Sequence, residues 1–263
     1  MPRVDELQGL WTRSLIQWPD GARDTTTQVR WLQGTSAYID LRQPAPQPAI
    51  AAAGLNQLAA EDCLLLAAQE GFAGRFAFDG AFFEWGREID YQPQPLYSDA
   101  GSLWWDGDVL IEKGRDIDYI EHWHRDPARP AAPALALSLR CEATGVNARY
   151  LRVGALFMFA RDRAVTPPAQ HHLTQCVAGA ADVRAARALI DCEISFGHIA
   201  PAGDRITAST LPWRAGDRLG PMLDRESLTT RDRAPDGRPI LRRWEPLAIE
   251  GDLSLLAAAV RVI

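Results

Sequence analysis

The feature that most constrains this chain is a succession of short β-rich segments separated by turn dipeptides. Asp79-Gly80, Asp106-Gly107 and Asp236-Gly237 each stand between two segments rich in aromatic and branched residues. Aspartate followed by glycine is a strong hairpin signal, because glycine tolerates the positive φ angles of tight turns. About eight such segments precede residue 127, and the pattern resumes after residue 133. It predicts an all-β chain of antiparallel strands.

Two segments depart from this pattern, at residues 55–70 and 167–187. The first carries apolar side chains at near-helical spacing, namely Leu55, Leu58, Cys63 and Leu66. Each segment is expected to form a short helical insert after the third strand of its half of the chain. Residues 127–133 are rich in proline and alanine and are expected to be a linker, since proline cannot donate to a sheet. The predicted domains are residues 1–128 and 134–263.

The two halves share an order of elements: three strands, a helical insert, and about five further strands. Gly34 and Gly154 occupy matching turns 120 residues apart. A unit of eight strands can close on itself and so remove its unpaired edges. The order therefore predicts an internal duplication that yields two fused antiparallel β-barrels, each with a short helical insert.

Composition excludes several classes of protein. The chain has 28 basic and 34 acidic side chains, a net charge of −6, which argues against nucleic acid as a partner. No apolar run reaches the ~20 residues of a membrane-spanning helix, and no signal peptide is recognisable. The four cysteines, Cys63, Cys141, Cys176 and Cys192, have no zinc-site spacing and are expected to be reduced thiols in a cytoplasmic protein. The single lysine, Lys113, indicates a GC-rich bacterial genome.

Gly9-Leu10-Trp11 on the first strand resembles the Gly-x-Trp mark of lipocalin-like barrels. In that family the tryptophan packs at the closed end against an arginine of the last strand, here Arg125. The second half has no equivalent motif. The whole chain resembles a fungal family of two lipocalin-like barrels that interact with a casein-kinase-type enzyme and have an unclear biochemical role. That resemblance rests on residues 11–14 (WTRS), 38–42 (YIDLR) and 71–74 (GFAG). A second two-barrel family, which includes isoprenoid hydratases, has the same layout but no specific residues in common.

Tryptophan is concentrated in the first half, with seven of the nine residues before position 130. Large aromatic side chains there would either line a ligand cavity or fill the barrel. Ala37, Ile39 and Leu41 share one strand face, and a polar cluster occupies the other. The leading prediction is non-catalytic binding of a small, largely apolar ligand in the first barrel. Its predicted apolar walls and polar anchors are Trp31, Trp85, Trp104, Trp105, Trp123, Tyr38, Arg42 and His122.

Two other functions remain open. One is a hydratase or isomerase that uses His122 or His124 with Asp40 or Glu121 as a proton-transfer pair. The other is a protein-interaction module with solid barrels and an exposed apolar patch. His122 and His124 share a strand face, but the glutamate that a cupin-type site requires is missing, so no metal or cofactor is predicted. No nucleotide-binding loop, nucleophile elbow or zinc-protease motif is present, so no catalytic residue is assigned.

Overall fold

The structure is a computed structural model that describes residues 1–46, 49–127, 132–224 and 226–257. These residues are mostly β-strand with a few short helices, as the turn pattern predicts. Residues 128–131 of the expected linker lie outside the described residues, and so does the predicted boundary at residue 128. All four cysteines are unpaired thiols.

The first half of the chain forms a closed barrel of eight antiparallel strands with one short strand added at its edge. Its strands are β1 (Gly9–Gln17), β2 (Arg23–Asp24), β3 (Gln28–Gln33), β4 (Ala37–Gln43), β5 (Glu70–Phe78), β6 (Phe83–Asp90), β7 (Asp99–Asp106), β8 (Val109–Gly114) and β9 (Ile120–Arg125). Strands β1 and β9 pair from Trp11 opposite Arg125 to Gln17 opposite Ile120, and this pairing closes the barrel. The short strand β2 pairs only with β1 among the described strands.

The second half forms a curled half-barrel. Its strands are β10 (Ala134–Cys141), β11 (Asn147–Val153), β12 (Leu156–Arg161), β13 (Glu193–Ala200), β14 (Gly203–Ser209), β15 (Met222–Leu223), β16 (Leu228–Arg233) and β17 (Pro239–Gly251). They lie in the order β14-β13-β12-β11-β10-β17-β16-β15, and no ladder between described strands joins the two ends. The sequence predicted a second closed barrel, and this is corrected: the described strands of the second half form an open sheet.

An irregular segment takes the place of a closing strand in the second half. The Ile206 N–H donates to the Asp217 carbonyl at 2.9 Å, and the Arg231 N–H donates to the Leu219 carbonyl at 2.7 Å. Residues 216–220 therefore bridge β14 and β16 without forming a ladder. Pro212 lacks an N–H donor and Gly216 adopts a φ of 92°, so this segment does not continue as a strand.

Short helices follow the third main strand in each half, as predicted. In the first half, α1 (Ala60–Leu66) follows a 3-10 turn at Leu55–Gln57. In the second half, α2 (Leu173–Ala178) and α3 (Val183–Ile190) replace the single expected helix. Asp182 begins α3, because its side chain accepts a hydrogen bond from the Ala185 N–H at 2.8 Å. A final short helix, α4, spans Ser254–Ala257.

The two sheets share an apolar core that includes α1, α2 and α3. Ile39 and Leu41 of β4 lie in this core with Leu151 of β11 and Met158 of β12. The opposite face of β4 points into the first barrel, so this strand is buried on both faces. The alternation of apolar and polar side chains in β4 therefore separates two interiors rather than an interior from solvent.

Candidate functional site

One end of the first barrel is filled by aromatic side chains. Trp31 is fully buried, and its ring lies 5.6 Å from that of Trp11, 5.6 Å from Trp85, 5.4 Å from Trp123 and 5.7 Å from Phe76, measured between ring centroids. Edge-to-face and offset contacts at these distances are favourable. The predicted residues Trp31, Trp85 and Trp123 are therefore brought together, and they fill the barrel with one another.

The closed end of this barrel carries the contact expected from the Gly-x-Trp motif. The Arg125 guanidinium lies 4.8 Å from the centroid of the Trp11 ring. The Trp11 indole N–H donates to the Leu7 carbonyl at 2.7 Å, and the Arg125 guanidinium donates to the Glu6 carbonyl. The 3-10 turn at Val4–Leu7 is thereby held across the end of the barrel.

Two of the predicted site residues, Trp104 and His122, face away from the interior, and a third, Trp105, lies at its closed end. Trp104 is 38% exposed and alternates with the buried Leu103, so its side chain is on the outer face of β7. Trp105 is half-exposed at the closed end, 6.0 Å from the Trp11 ring. On β9, His122 alternates with the buried Glu121 and Trp123 and so faces outward. The assignment of Trp104 and His122 to the interior is corrected, because strand alternation places them on the opposite face.

The polar cluster predicted on β4 does face the interior. The Arg42 Nε donates to Asp40 Oδ1 at 3.0 Å, and its Nη1 lies 3.5 Å from Glu121 Oε1. The Arg42 guanidinium also lies 4.9 Å from the Phe72 ring centroid. Tyr38 donates to the Gly86 carbonyl at 3.3 Å. These groups form a charged layer above the aromatic end of the barrel.

Two further arginines, Arg13 and Arg87, complete this charged layer. Arg13 donates to Glu121 and also lies 3.5 Å from Asp24. Arg87 donates to Asp90 at 3.0 Å and to Asp99 at 2.7 Å. Each arginine of the layer therefore contacts two carboxyl groups, while the buried Arg87 Nε has no hydrogen-bond partner among the described residues.

Glu112 is buried in the same layer and forms no ion pair among the described residues, although the charge of Arg42 acts on it. Its Oε1 lies 2.7 Å from the Tyr119 hydroxyl, and its Oε2 accepts from the Trp123 indole N–H at 3.0 Å. It stands opposite Glu121 in the pairing of β8 with β9. Burial, and then the charge of Glu121, raise the pKa of Glu112 well above its usual range.

Burial also raises the carboxyl pKa at two other places in the layer. The pKa of Asp40 rises to about 6 and that of Asp90 to about 6, although Arg42 and Arg87 oppose the shifts. Loss of hydration destabilises the charged form more than one shared guanidinium stabilises it. The net charge of this layer therefore changes between pH 5 and pH 7.

Two adjoining cavities open above the charged layer. The first is about 130 Å³ and is lined by Arg87, Asp99 and Glu121, among others. The second is about 290 Å³ and is lined by Arg13, Asp24 and Glu70, among others. Both are lined by Ile16, Arg42, Ile117 and Tyr119. These cavities are the mouth of the first barrel, at the end away from the aromatic cluster.

Sequence reasoning placed Arg42 in this site but did not assign Arg13, Arg87, Asp99, Glu112 or Tyr119 to it. The alternation of side chains in two strands could have identified Arg13 and Glu112. Arg13 and Trp11 share a face of β1, and Glu112 and Leu110 share a face of β8, with the buried aromatic and apolar residues marking the interior. A charged residue two positions from an interior residue is expected to point inward as well.

The proton-transfer pairing of His122 or His124 with Asp40 or Glu121 is not formed. His124 lies 2.8 Å from the Ser14 hydroxyl on the outer surface, while the carboxyl groups face inward. Within the described ranges, no group of three histidine, cysteine, aspartate or glutamate side chains is arranged to hold a metal ion. Nor does any helix in those ranges have both the length and the apolar character needed to span a membrane.

Comparisons with known proteins identify a related fold. No family model matches the chain, and no curated protein matches its sequence. The crystal structure of the uncharacterized protein YLR301w from Saccharomyces cerevisiae superimposes with a TM-score of 0.50 over 92% of this chain and 98% of that one. The sequence identity is 12%, so the similarity extends to the fold alone. This chain is thus a β-barrel protein that shares its architecture with an uncharacterized yeast protein.

Proposed function

We propose that this protein binds a small organic molecule, without transforming it, at the mouth of the first barrel. The observation that carries the proposal is the pair of adjoining cavities above a charged layer. Binding sites are commonly concave, with apolar walls and a few convergent polar groups, and barrel mouths are frequent positions for them. Tyr119, Ile16 and Ile117 would supply the walls, and the arginines and carboxyl groups would orient the ligand.

The proposed ligand site lies at the polar mouth of the barrel, not among the tryptophans where the sequence predicted it. Because Trp31 is in contact with four other rings, an apolar ligand among the tryptophans would have to displace them. Each cavity alone is smaller than the ~300–1,000 Å³ of a drug-sized site, and the two together fall at the lower end of that range, which favours a metabolite of modest size.

Native mass spectrometry of the freshly purified protein tests the proposal. We expect an excess mass that disappears on denaturation. Ala68→Trp provides a blocking variant, because Ala68 is exposed and lines the larger cavity. Ala81→Trp is the matched control, since Ala81 is exposed in the β5–β6 turn at the opposite end of the barrel. The excess mass should persist in the control and be lost in Ala68→Trp. Equal retention by both variants would place the ligand elsewhere.

A further inference from the structure

The charged layer of the first barrel contains more carboxyl groups than arginines. Its three arginines contact five carboxyl groups, those of Asp24, Asp40, Asp90, Asp99 and Glu121. Glu112 is a sixth carboxyl group with no guanidinium partner among the described residues. At the rim, Glu70 lines the larger cavity, and Asp116, which is paired with Arg115 at 2.8 Å, lines the smaller one. The layer therefore has more acidic than basic groups whether or not Glu112 holds a proton.

The second half-barrel contains a corresponding layer in which the charges are balanced. Four arginines contact four carboxyl groups there: Arg161, Arg214, Arg233 and Arg242 with Asp191, Glu193, Asp217 and Asp232. Both layers lie near the end of the strand that precedes the helical insert, with Arg42 on β4 and Arg161 on β12. The first barrel therefore differs from its counterpart by an excess of carboxyl groups.

The balancing cation of the second layer is Arg214. It is 1% exposed and comes from the 3-10 turn at Pro212–Arg214. It contacts Glu193 at 3.0 Å, Asp217 at 3.0 Å and Asp232 at 3.8 Å. A cavity lined by the layer's Arg161, Asp232 and Arg242 is about 30 Å³, which is space for water rather than for a ligand. The first barrel keeps cavities of about 130 and 290 Å³ above its charged layer.

Exposed apolar side chains surround the mouth of the first barrel. They are Trp18 in the β1–β2 turn, Leu96 and Tyr97 in the β6–β7 loop, and Ile117 in the β8–β9 turn. A charged interior with an apolar rim suits a molecule that has a charged end and an apolar end. Exposed aromatic faces such as those of Trp18 and Tyr97 also attract cations.

From these observations we infer that the ligand of the first barrel is an organic cation, a protonated amine or amidinium that bears an apolar group. This inference rests on the proposed function. The cationic nitrogen faces the carboxyl groups of the charged layer, in the role that Arg214 has in the second half-barrel. The apolar group contacts the rim. Arginine side chains of the layer do not select an anion, because each is already bound to two carboxyl groups.

Isothermal titration calorimetry with three matched probes tests the inference. The probes are phenethylammonium, 2-phenylethanol and phenylacetate, which share a phenethyl-like frame and differ in charge. We expect phenethylammonium to bind at least ~10-fold more tightly than the other two, since one unit charge near several carboxylates has that effect or more. Ala68→Trp should weaken phenethylammonium binding and Ala81→Trp should not.

A charge-removing variant at the rim sharpens the test. Glu70→Gln should weaken phenethylammonium about fivefold, as expected for one partly hydrated carboxylate, and should leave 2-phenylethanol unaffected. Glu61→Gln, an exposed position on α1 outside the cavities, is the matched control. Equal or tighter binding of 2-phenylethanol or phenylacetate would overturn the cation inference and leave the proposed function standing. Absence of binding by all three probes, or binding of the cation unaffected by Ala68→Trp, would overturn both.

Discussion

Replacement of Glu112 by glutamine is expected to stabilise the protein at neutral pH and to reduce its loss of stability as the pH rises. Glu112 is 3% exposed and is paired with Glu121 between strands β8 and β9. Burial raises the pKa of its carboxyl group. A glutamine at this position can form the same two hydrogen bonds as Glu112. Its amide oxygen accepts from the Trp123 indole, and its amide N–H₂ donates to the Tyr119 hydroxyl, which can donate to Asp99 Oδ1 at 3.4 Å.

The direction of the pH effect follows from proton linkage. Between the ordinary pKa of a glutamate and the raised pKa of Glu112, the folded state holds one proton that the unfolded chain releases. Stability from this proton is fully present below pH ~4.5 and decreases as the pH rises through that interval. A difference of one proton between the folded and unfolded states corresponds to a change of about 1.4 kcal/mol in the free energy of unfolding per pH unit. Glutamine does not titrate, so the variant lacks this contribution.

Urea unfolding at pH 5, 6 and 7, followed by circular dichroism, measures the effect. The free energy of unfolding of Glu112→Gln relative to the native sequence should increase with pH over this range, by up to about 1.4 kcal/mol per pH unit. Asp40 and Asp90, whose pKa values are raised to about 6, contribute equally to both proteins and cancel in the difference. Glu61→Gln should show no such increase. A difference between Glu112→Gln and the native sequence that is constant with pH would refute the reasoning.

Three further predictions concern stability and use the same unfolding assay. Trp31→Ala should cost about 3–5 kcal/mol because it opens a cavity among four rings, whereas Trp104→Ala, on the outer face, should cost about 1 kcal/mol or less. Gly74→Ala should cost about 3 kcal/mol or more, because an added Cβ would lie 1.7 Å from the Gly86 carbonyl oxygen. Arg125→Ala should cost about 1 kcal/mol through loss of its contact with the Trp11 ring. Equal costs for the two tryptophans, or little cost at Gly74, would contradict the packing described.

The strand order was predictable from the sequence because turn chemistry is local. The hairpins at Asp79-Gly80, Asp106-Gly107 and Asp236-Gly237 need only glycine at a left-handed position, and each is present. The incomplete closure of the second half was not predictable by the same means. Closure depends on whether residues 216–220 form a ladder with both β14 and β16. These strands are distant from one another in the sequence, so a local sequence pattern does not predict their pairing.

The candidate site was predicted in part. Alternation correctly placed Tyr38, Asp40 and Arg42 on one face of β4, but the sequence left open whether that face was solvated. Tryptophan content pointed to the aromatic end of the barrel, and those rings pack against one another instead of leaving space. The cavity forms where charged side chains from β1, β4, β6, β7 and β9 meet, and such a meeting depends on barrel closure. Residues such as Arg87 and Asp99 carry no sequence signal of that meeting.

A buried charged layer is a poor means of stabilising a barrel. Removing charges from water costs several kcal/mol per ion, and well-packed apolar replacements are often as stable or more stable. The aromatic end of the same barrel shows that this chain can fill a barrel interior with aromatic rings. In the second half-barrel, the charged layer is balanced and occupied by Arg214, so it serves as packing between elements. In the first barrel the layer has surplus carboxyl groups, an adjoining cavity and an apolar rim, and none of these three features contributes to stability. The proposed cationic ligand, which would bring the missing positive charge, would account for their combination.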